Sequence, residues 1–233
     1  MKYKYQTHTH TSPCSRCAIM HPEELVRGIY EQGLAGAVLT NHFFGGNSGI
    51  DRALGWEGFV RRYEQDYLEC REAAEKYGVD IIFSLEEHLD GGREVLCFGV
   101  TPEMLYNHPE LMARDQEIWY KTLHGVGGLL IQAHPFRKRP YISDPHPLPL
   151  NMLDGIEVYN YGNTPEDNLE AEKFAAQHPE LILTAGADAH SARTLGFGGI
   201  ITEQRIKDEQ SLCSILREGR YEIFKSDVVG DWL

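Results

Sequence analysis

Histidines and acidic residues recur at the ends of short apolar runs in this 233-residue chain. The first run leads directly into His8-Thr9-His10. Residues two apart on an extended backbone point to the same side, so both imidazoles can reach one ion. A His-x-His pair alone is a weak signal, but the same layout recurs after later runs. These recurrences contain His42, Glu86, His134, Glu157, Asp188 and His190.

This set of side chains predicts a metal-dependent hydrolase. Imidazole nitrogen combined with carboxylate oxygen suits Zn, Mn or Fe, whereas an all-oxygen cage suits Ca or Mg. Two or three neighbouring divalent ions need a bridging anion, for which Glu86 and Asp188 are the natural candidates. Such clusters clamp the attacking and leaving oxygens of a phosphoryl centre and lower the pKa of bound water to roughly 7. The expected reaction is attack by metal-bound hydroxide on a phosphate ester, with no protein nucleophile.

The elements that must position these residues follow a β/α pattern, in which apolar runs alternate with amphipathic stretches. The predicted strands are Lys2–Thr7, Ala35–Thr40, Val79–Leu85, Glu94–Phe98, Leu129–Gln132, Gly155–Tyr159 and Leu181–Ala185. The predicted helices are Pro22–Gly33, Trp56–Tyr77, Pro109–His124, Pro165–Gln177 and Asp208–Arg217. Candidate ligands at carboxyl ends of strands are typical of barrel enzymes. We therefore expect an α/β fold, with one seven-stranded barrel over residues 1–233.

Composition and charge indicate which class of substrate and which cellular location to expect. Apolar residues make up 42% of the chain and charged residues 24%, and the formal net charge is −13. Because affinity for nucleic acid depends largely on Lys and Arg, we expect a small phosphorylated substrate and no nucleic-acid polymer. No apolar run approaches the roughly 20 residues that span a bilayer, and the N-terminus lacks a signal-peptide core. With an odd number of cysteines, five, we predict a cytoplasmic protein without a membrane partner.

Five motifs in order, THTHTS, LTNHF, AHPFR, IEVYN and GADAH, resemble the polymerase and histidinol phosphatase (PHP) family. The resemblance extends from about His8 to Gly196. It implies a distorted (β/α)7 barrel, a centre of two or three metal ions, and histidinol phosphatase-like phosphoesterase activity on small phosphorylated metabolites or nucleotides.

The resemblance also implies a ligand set for each ion. The first ion takes the full motif set of His8, His10, Glu86 and Asp188. The second takes Glu86, as the bridge, and His134, whereas the third takes His42 and His190. Glu87 adjoins Glu86, and only one of the two can face the centre of a strand-built site; the family pattern favours Glu86.

The chain departs from the family pattern at positions near the second and third ions. Ser15 and Arg16 stand where family members often have Asp or His, and Asn41 replaces an Asp. A histidine common in the fourth strand is replaced near Leu96 or Cys97, and Ser84 replaces a glycine. Only the ligand set of the first ion is complete.

Arginines next to the motifs are candidates for phosphate binding. Arg137 follows His-Pro-Phe and Arg193 follows the Asp188–His190 motif, so both are predicted to act in catalysis together with Asp188 and His190. Guanidinium suits bidentate phosphate recognition, although a surface salt bridge is the alternative for each. Arg16 is a third candidate. The proline-rich connection from Arg137 to Asn151 is expected to form a wall or lid of the site.

Two further features leave alternatives open. Glu157 is either a metal ligand or a hydrogen-bond partner that orients a histidine. In Cys14-x-x-Cys17, one cysteine either replaces a missing ligand or is a thiol packed in the loop.

Two other functions compete with a phosphoesterase. One is an amidohydrolase-type metal enzyme that cleaves an amide or lactone, since such enzymes also begin with His-x-His and end with a strand-terminal Asp. The other is a non-catalytic metal-binding module, which the missing ligands would explain. The motifs from His134 to Arg137 and from Asp188 to His190 favour the phosphoesterase.

Overall fold

The computed structural model describes residues 2–227, which form ten β-strands and six α-helices. The strands are β1 (Tyr3–Thr9), β2 (Gly36–Leu39), β3 (Asp80–Phe83), β4 (Glu86–Leu89), β5 (Arg93–Phe98), β6 (Leu129–Gln132), β7 (Gly155–Asn160), β8 (Ile182–Gly186), β9 (Gly198–Thr202) and β10 (Tyr221–Lys225). The helices are α1 (Pro22–Glu31), α2 (Gly55–Tyr77), α3 (Pro102–Asn107), α4 (Gln116–Gly125), α5 (Pro165–Gln177) and α6 (Glu209–Arg217). The predicted α/β class is confirmed.

The strands form two five-stranded sheets. The first has the order β10-β9-β1-β2-β3, with β1, β2 and β3 parallel and with β9 and β10 antiparallel to their neighbours. The second has the order β4-β5-β6-β7-β8, in which β6, β7 and β8 are parallel. Only three residues, from Asp90 to Gly92, separate β4 from β5. This connection is too short for a crossover helix, so β4 and β5 pair antiparallel, and β5 is also antiparallel to β6.

The two sheets meet where the candidate ligands lie. A bridge between Thr9 and Ala189 connects β1 with the chain after β8, and a bridge between His42 and Glu86 connects the chain after β2 with β4. Within residues 2–227 the hydrogen bonding divides into two sheets and forms no closed barrel. The (β/α)7 barrel therefore stays a prediction.

All seven predicted strands are present, with shifted bounds except for β6. The prediction missed β4, β9 and β10. The sequence of β4 is Glu-Glu-His-Leu, and β9 begins with two glycines, so neither has the apolar pattern of a buried strand. Among the helices, α5 has the predicted bounds, and Gly78 ends α2 in the left-handed region at a φ of 67°.

The predicted helix over Pro109–His124 is divided in two, and α3 was not predicted. A 3-10 turn over Pro109–Ala113 ends at Arg114, whose φ of 53° breaks the helical path. Asp115 then caps α4 by accepting a hydrogen bond from the Ile118 N–H at 3.0 Å.

Aromatic side chains of α2 form the core beside the first sheet. Phe59 and Tyr63 are buried and meet the ring of Phe43 edge-on at centroid distances of 5.2 and 4.9 Å. Edge-on ring pairs of this kind each contribute about 0.5–1.5 kcal/mol beyond their buried area. This packing holds the chain after β2, and with it His42, against the end of the sheet. Between residues 2 and 227, every helix is too short or too polar to cross a bilayer.

Candidate metal centre

The seven predicted ligands converge on one buried cluster. His8 lies in β1 and His10 directly follows it, whereas His42, His134 and Asp188 follow β2, β6 and β8. Glu86, which opens β4, lies at the centre. Its carboxylate is 3.3 Å from His8 Nε2, 3.6 Å from His10 Nε2, 2.8 Å from His42 Nδ1 and 3.2 Å from His134 Nε2.

Asp188 is the second carboxylate of the cluster. Its Oδ1 atom lies 3.3 Å from His8 Nε2 and 3.1 Å from His10 Nε2. His190 stacks on His10 with ring centroids 4.3 Å apart. Two of the cluster residues, His134 and Asp188, have φ values of 31° and 53°. Non-glycine residues rarely adopt this region, and such local strain is concentrated at functional sites.

Several buried atoms of the cluster lie close to one another but have no partner in hydrogen-bonding geometry among residues 2–227. They are His8 Nε2, His10 Nε2, His42 Nδ1, Glu86 Oε2 and Asp188 Oδ1. A buried polar atom left unsatisfied costs about 1–3 kcal/mol, so five at one point need an explanation. Cations between them would satisfy all five.

The spacing of these atoms fits more than one cation. Four groups of three residues each offer ligand atoms within 4.8 Å of one another. The groups are His8–His10–Asp188, His8–Glu86–His134, His42–Glu86–Glu94 and His10–His42–His190. His8, His10, His42 and Glu86 each belong to two groups, so the sites are neighbours, and the donors are the imidazole and carboxylate that suit Zn, Mn or Fe.

The electrostatics keep the two acidic members of the cluster anionic. Burial raises the pKa of Glu86, but the neighbouring His8 and His42 outweigh it and hold the pKa well below the usual value. Burial also raises the pKa of Asp188, but the charges of His8 and Arg137 outweigh burial and hold this pKa well below its usual value. Metal ligands must be deprotonated, so both carboxylates are in the form that binds a cation.

Glu157 orients two of the histidines and belongs to none of the four groups. Its Oε1 atom lies 3.0 Å from His8 Nδ1, whereas Oε2 accepts hydrogen bonds from the backbone N–H of His134 at 3.1 Å and from Asn160 Nδ2 at 2.8 Å. A carboxylate that accepts the Nδ1 proton leaves the Nε2 lone pair of His8 free for a cation. The structure thus favours the orienting role among the two alternatives for Glu157.

Two departures from the family pattern have a structural role here. Ser15 Oγ lies 3.2 Å from His10 Nδ1 and donates to Asn41 Oδ1 at 2.9 Å. Asn41 Nδ2 in turn donates to Asp66 Oδ2 at 2.8 Å. Burial raises the pKa of Asp66 to about 6, although hydrogen bonds from Thr11 and Asn41 oppose the rise. This buried chain fixes the ring of His10 as Glu157 fixes that of His8.

Sequence reasoning missed Glu94. It lies on β5, is 8% exposed, and places Oε2 3.5 Å from His134 Nε2. The expected replacement for a family histidine was sought at Leu96 or Cys97, which are fully buried in the apolar core. An acidic residue near the start of an apolar strand was the available signal, since carboxylates are seldom buried without a partner.

The two predicted catalytic arginines lie in different surroundings. Arg137 is buried and donates to Asp188 Oδ2 at 2.6 Å, to Asn160 Oδ1 at 2.8 Å and to Asn163 Oδ1 at 2.8 Å. Arg193, in contrast, is exposed on a 3-10 turn, as is Arg16 in its loop, and neither lines the cavity described next. The structure therefore brings Arg137 to the cluster and leaves Arg193 outside it.

The cluster opens into a cavity of about 660 Å³. His42, Glu86, His134, Asp188 and His190 form its floor. Tyr141, from the connection between Arg137 and Asn151, forms part of the wall, as expected for this segment. Gly45, Gly46 and Asn47, together with Ser191 and Thr194, line other parts of the cavity.

The two cysteines of the Cys-x-x-Cys motif have different surroundings. Cys14 is buried in the core, whereas Cys17 is exposed at the cavity and places Sγ 3.1 Å from His190 Nε2. Burial raises the pKa of the Cys17 thiol, but hydrogen bonds with His190 and His42 outweigh it and lower the pKa to about 6.

Fold and site together define an α/β protein with a buried histidine–carboxylate cluster of the metal-binding kind. A family model described as PHP-associated matches residues 165–221. No curated protein sequence matches the chain significantly.

Three solved structures share the fold. The first is a two-domain protein from Bacteroides vulgatus with a predicted PHP-like metal-dependent phosphoesterase; the TM-score is 0.69 at 16% identity over 98% of this chain and 66% of that one. The second is PsfC from Pseudomonas syringae, with a TM-score of 0.67 at 15% identity over 97% and 92%. The third is the lesion-specific endonuclease PfuEndoQ from Pyrococcus furiosus, with a TM-score of 0.64 at 12% identity over 96% and 58%. The family-model match supports the predicted resemblance over residues 165–221, and the solved structures show that the fold is shared.

Proposed function

We propose that this protein is a metal-dependent phosphoesterase that hydrolyses a small phosphorylated metabolite or nucleotide. The observation that carries the proposal is the group of five buried ligand atoms without hydrogen bonds around Glu86, three of which belong to residues that line the cavity, His42, Glu86 and Asp188. Divalent ions held there would activate water and neutralise the charge that develops on the phosphoryl oxygens. The similarity to PHP-like proteins supports the same reading.

The ligand groups suggest how the ions would be distributed. We assign His8, His10, Glu86 and Asp188 to the first ion. Glu86, His134 and Glu94 would hold the second ion, with Glu94 as the ligand that the sequence did not reveal. His42 and His190 are left for the third ion. The identity of the metal ions, Zn, Mn or Fe, stays a prediction.

The side chains around the ions would orient both ligands and substrate. Glu157 holds His8 in the tautomer that offers Nε2. Arg137 uses three of its five N–H groups on Asp188, Asn160 and Asn163, so its plane is fixed. Its side chain also forms a hydrogen bond with Tyr141, and both residues line the cavity, so a remaining N–H group can bind a phosphate oxygen there. Arg193 has no comparable position, and its proposed role in catalysis has only the sequence motif as support.

Cavity size and charge bear on the substrate. A volume of about 660 Å³ suits a metabolite or nucleotide, since small-molecule sites span about 300–1,000 Å³. The net charge of −13 disfavours a long polyanion. One protein of similar fold is a lesion-specific endonuclease, however, so the comparisons do not support the exclusion of nucleic acid. DNA is therefore included among the substrates of the assay described below.

We also propose that the whole chain, residues 1–233, forms one barrel-like domain. The Thr9–Ala189 and His42–Glu86 bridges support this, because they join the two sheets at two separate places beside the cluster. A cytoplasmic location remains a prediction from the sequence.

The experiment is reconstitution of the metal-free protein with Mn, Zn or Fe, followed by parallel assays. The substrates are phosphorylated metabolites, p-nitrophenyl phosphate, amides and lactones, and DNA oligonucleotides. We expect phosphate release from a small monoester or diester, and its loss in His8→Ala and Asp188→Ala. His178→Ala, which removes a histidine outside the cluster, is the matched control.

Three results would contradict the proposal. Turnover of amides or lactones alone would favour the amidohydrolase, and fewer than two bound ions without hydrolysis would favour a metal-binding module. Undiminished turnover in a folded His8→Ala protein would remove that residue from the mechanism.

A further inference from the structure

The third ligand group is one ligand short. His10, His42 and His190 offer ring nitrogens within 4.8 Å of one another. His10 Nδ1, however, faces Ser15, and its Nε2 is 3.1 Å from Asp188, in the group of the first ion. Two imidazoles then remain for a third ion, fewer than the three protein ligands of a typical zinc site that keeps one position open.

Cys17 lies where such a ligand is needed. Its Sγ atom is 3.1 Å from His190 Nε2 and lines the same cavity as His42. A second and independent observation points to a cation here. His42 is 8% exposed, and its Nδ1 atom has no partner in hydrogen-bonding geometry among residues 2–227. The ring centroid of His42 lies 6.0 Å from that of His190, the residue that Cys17 faces.

The backbone holds Cys17 firmly in this position. On one side, the Arg16 N–H donates to the Asn47 carbonyl at 3.0 Å. On the other, the Ile19 N–H donates to the His190 carbonyl at 2.9 Å. The loop is therefore tied to the residue that Cys17 faces, and the thiol approaches His190 because of these bonds.

We propose that Cys17 is the third protein ligand of a third metal ion, together with His42 and His190. The inference rests on the proposed function, since it adds an ion beside the first two. Thiolate is a soft ligand that favours Zn²⁺ over Mn²⁺ or Mg²⁺. The third position is thus a nitrogen–sulfur site next to two nitrogen–oxygen sites, and it favours Zn²⁺ more strongly than they do.

The first experiment counts ions and probes the sulfur. Full-length protein is stripped with a chelator and loaded with Zn²⁺ or, separately, Co²⁺. We expect three Zn²⁺ per chain by elemental analysis, and a thiolate-to-cobalt charge-transfer band in the near ultraviolet. Cys17→Ala should bind one Zn²⁺ fewer and lose the band. Cys17→His should keep three Zn²⁺ without the band, because imidazole replaces the thiolate.

A second measurement needs no substitution at the site. Cys17 is the exposed cysteine of this chain, and Cys14, Cys70, Cys97 and Cys213 are buried. A thiol reagent should therefore modify one cysteine in the metal-free protein, and Zn²⁺ should protect it. Cys70→Ala, which removes a buried thiol of α2, is the control and should leave both the band and the protection unchanged.

The outcomes separate this inference from the proposed function. Two Zn²⁺ in both wild type and Cys17→Ala, with no cobalt band and no protection, would overturn the role of Cys17 and leave the phosphoesterase intact. Fewer than two ions in the wild type would overturn both. If Cys17→Ala fails to fold, the protection experiment on the wild-type chain still decides.

Discussion

Replacing Glu157 with glutamine tests whether a buried carboxylate sets the state of the metal-binding histidines. Three donors converge on Glu157: His8 Nδ1, the His134 N–H and Asn160 Nδ2, at 2.8–3.1 Å. A carboxamide has one acceptor oxygen, so its NH2 group must face at least one of these donors. If the oxygen faces His134 and Asn160, His8 must shift its proton to Nε2, the atom directed at Glu86 and Asp188. In the other orientation, two hydrogen bonds are lost.

The structure sets the size of the expected effect. A hydrogen bond to a charged group contributes about 1.5–3 kcal/mol. Loss of one such bond corresponds to a roughly ten- to hundredfold weaker metal affinity, the range observed when partners of metal ligands are removed. Competition with a chromogenic chelator measures this affinity directly, and circular dichroism verifies that the variant is folded. Turnover should fall in parallel at limiting metal and recover in part at excess metal.

Glu87→Gln is the matched control for Glu157→Gln. Glu87 is also fully buried and adjoins Glu86, but its Oε1 atom accepts from the N–H groups of Gly45 and His88 rather than from a histidine ring. Burial raises its pKa to about 8, against the lowering effect of those bonds, so the side chain is neutral at pH 7 and glutamine is a close substitute. Equal metal affinity in Glu157→Gln and Glu87→Gln would refute the orienting role of Glu157.

Three further predictions follow from the same contacts. Glu94→Gln should remove the second ion and spare the first, and elemental analysis that finds both ions retained would contradict its assignment as a ligand. Since the folded pKa of Glu87, about 8, exceeds its ordinary 4.5, the folded chain keeps a proton that the unfolded chain releases between these values. Stability should thus fall with rising pH from about 4.5 to 8, by up to about 1.4 kcal/mol per unit, and urea unfolding of chelator-treated Glu87→Gln should lack this contribution. Gly186→Ala would place a Cβ 2.3 Å from Glu157 Oε1 and 2.6 Å from His8 Cβ, so both melting temperature and metal affinity should drop; unchanged values would show that the site tolerates the displacement.

Local pattern was sufficient for several elements and for the residue types of the site. Strand β6 and helix α5 have the predicted bounds. Short apolar runs and capped amphipathic stretches can be recognised from the local sequence pattern alone. His8 and His10 were predicted on one face because alternation along a strand requires it. The placement of Glu86 rather than Glu87 in the cluster agrees with the family motif, whereas periodicity alone left both residues open.

Tertiary structure decided how the site is completed. Glu94 reaches His134 from an antiparallel strand whose direction follows from a three-residue connection, and Cys17 reaches His190 across 173 positions of sequence. Neither approach leaves a periodic signal, since each depends on how separate strands and loops pack. The sequence by itself indicated most of the side chains with metal-binding chemistry. Only the folded chain determined which of them lie within reach of one another and which, like Glu157, contact a histidine from outside the cluster, because those distances join residues far apart along the chain.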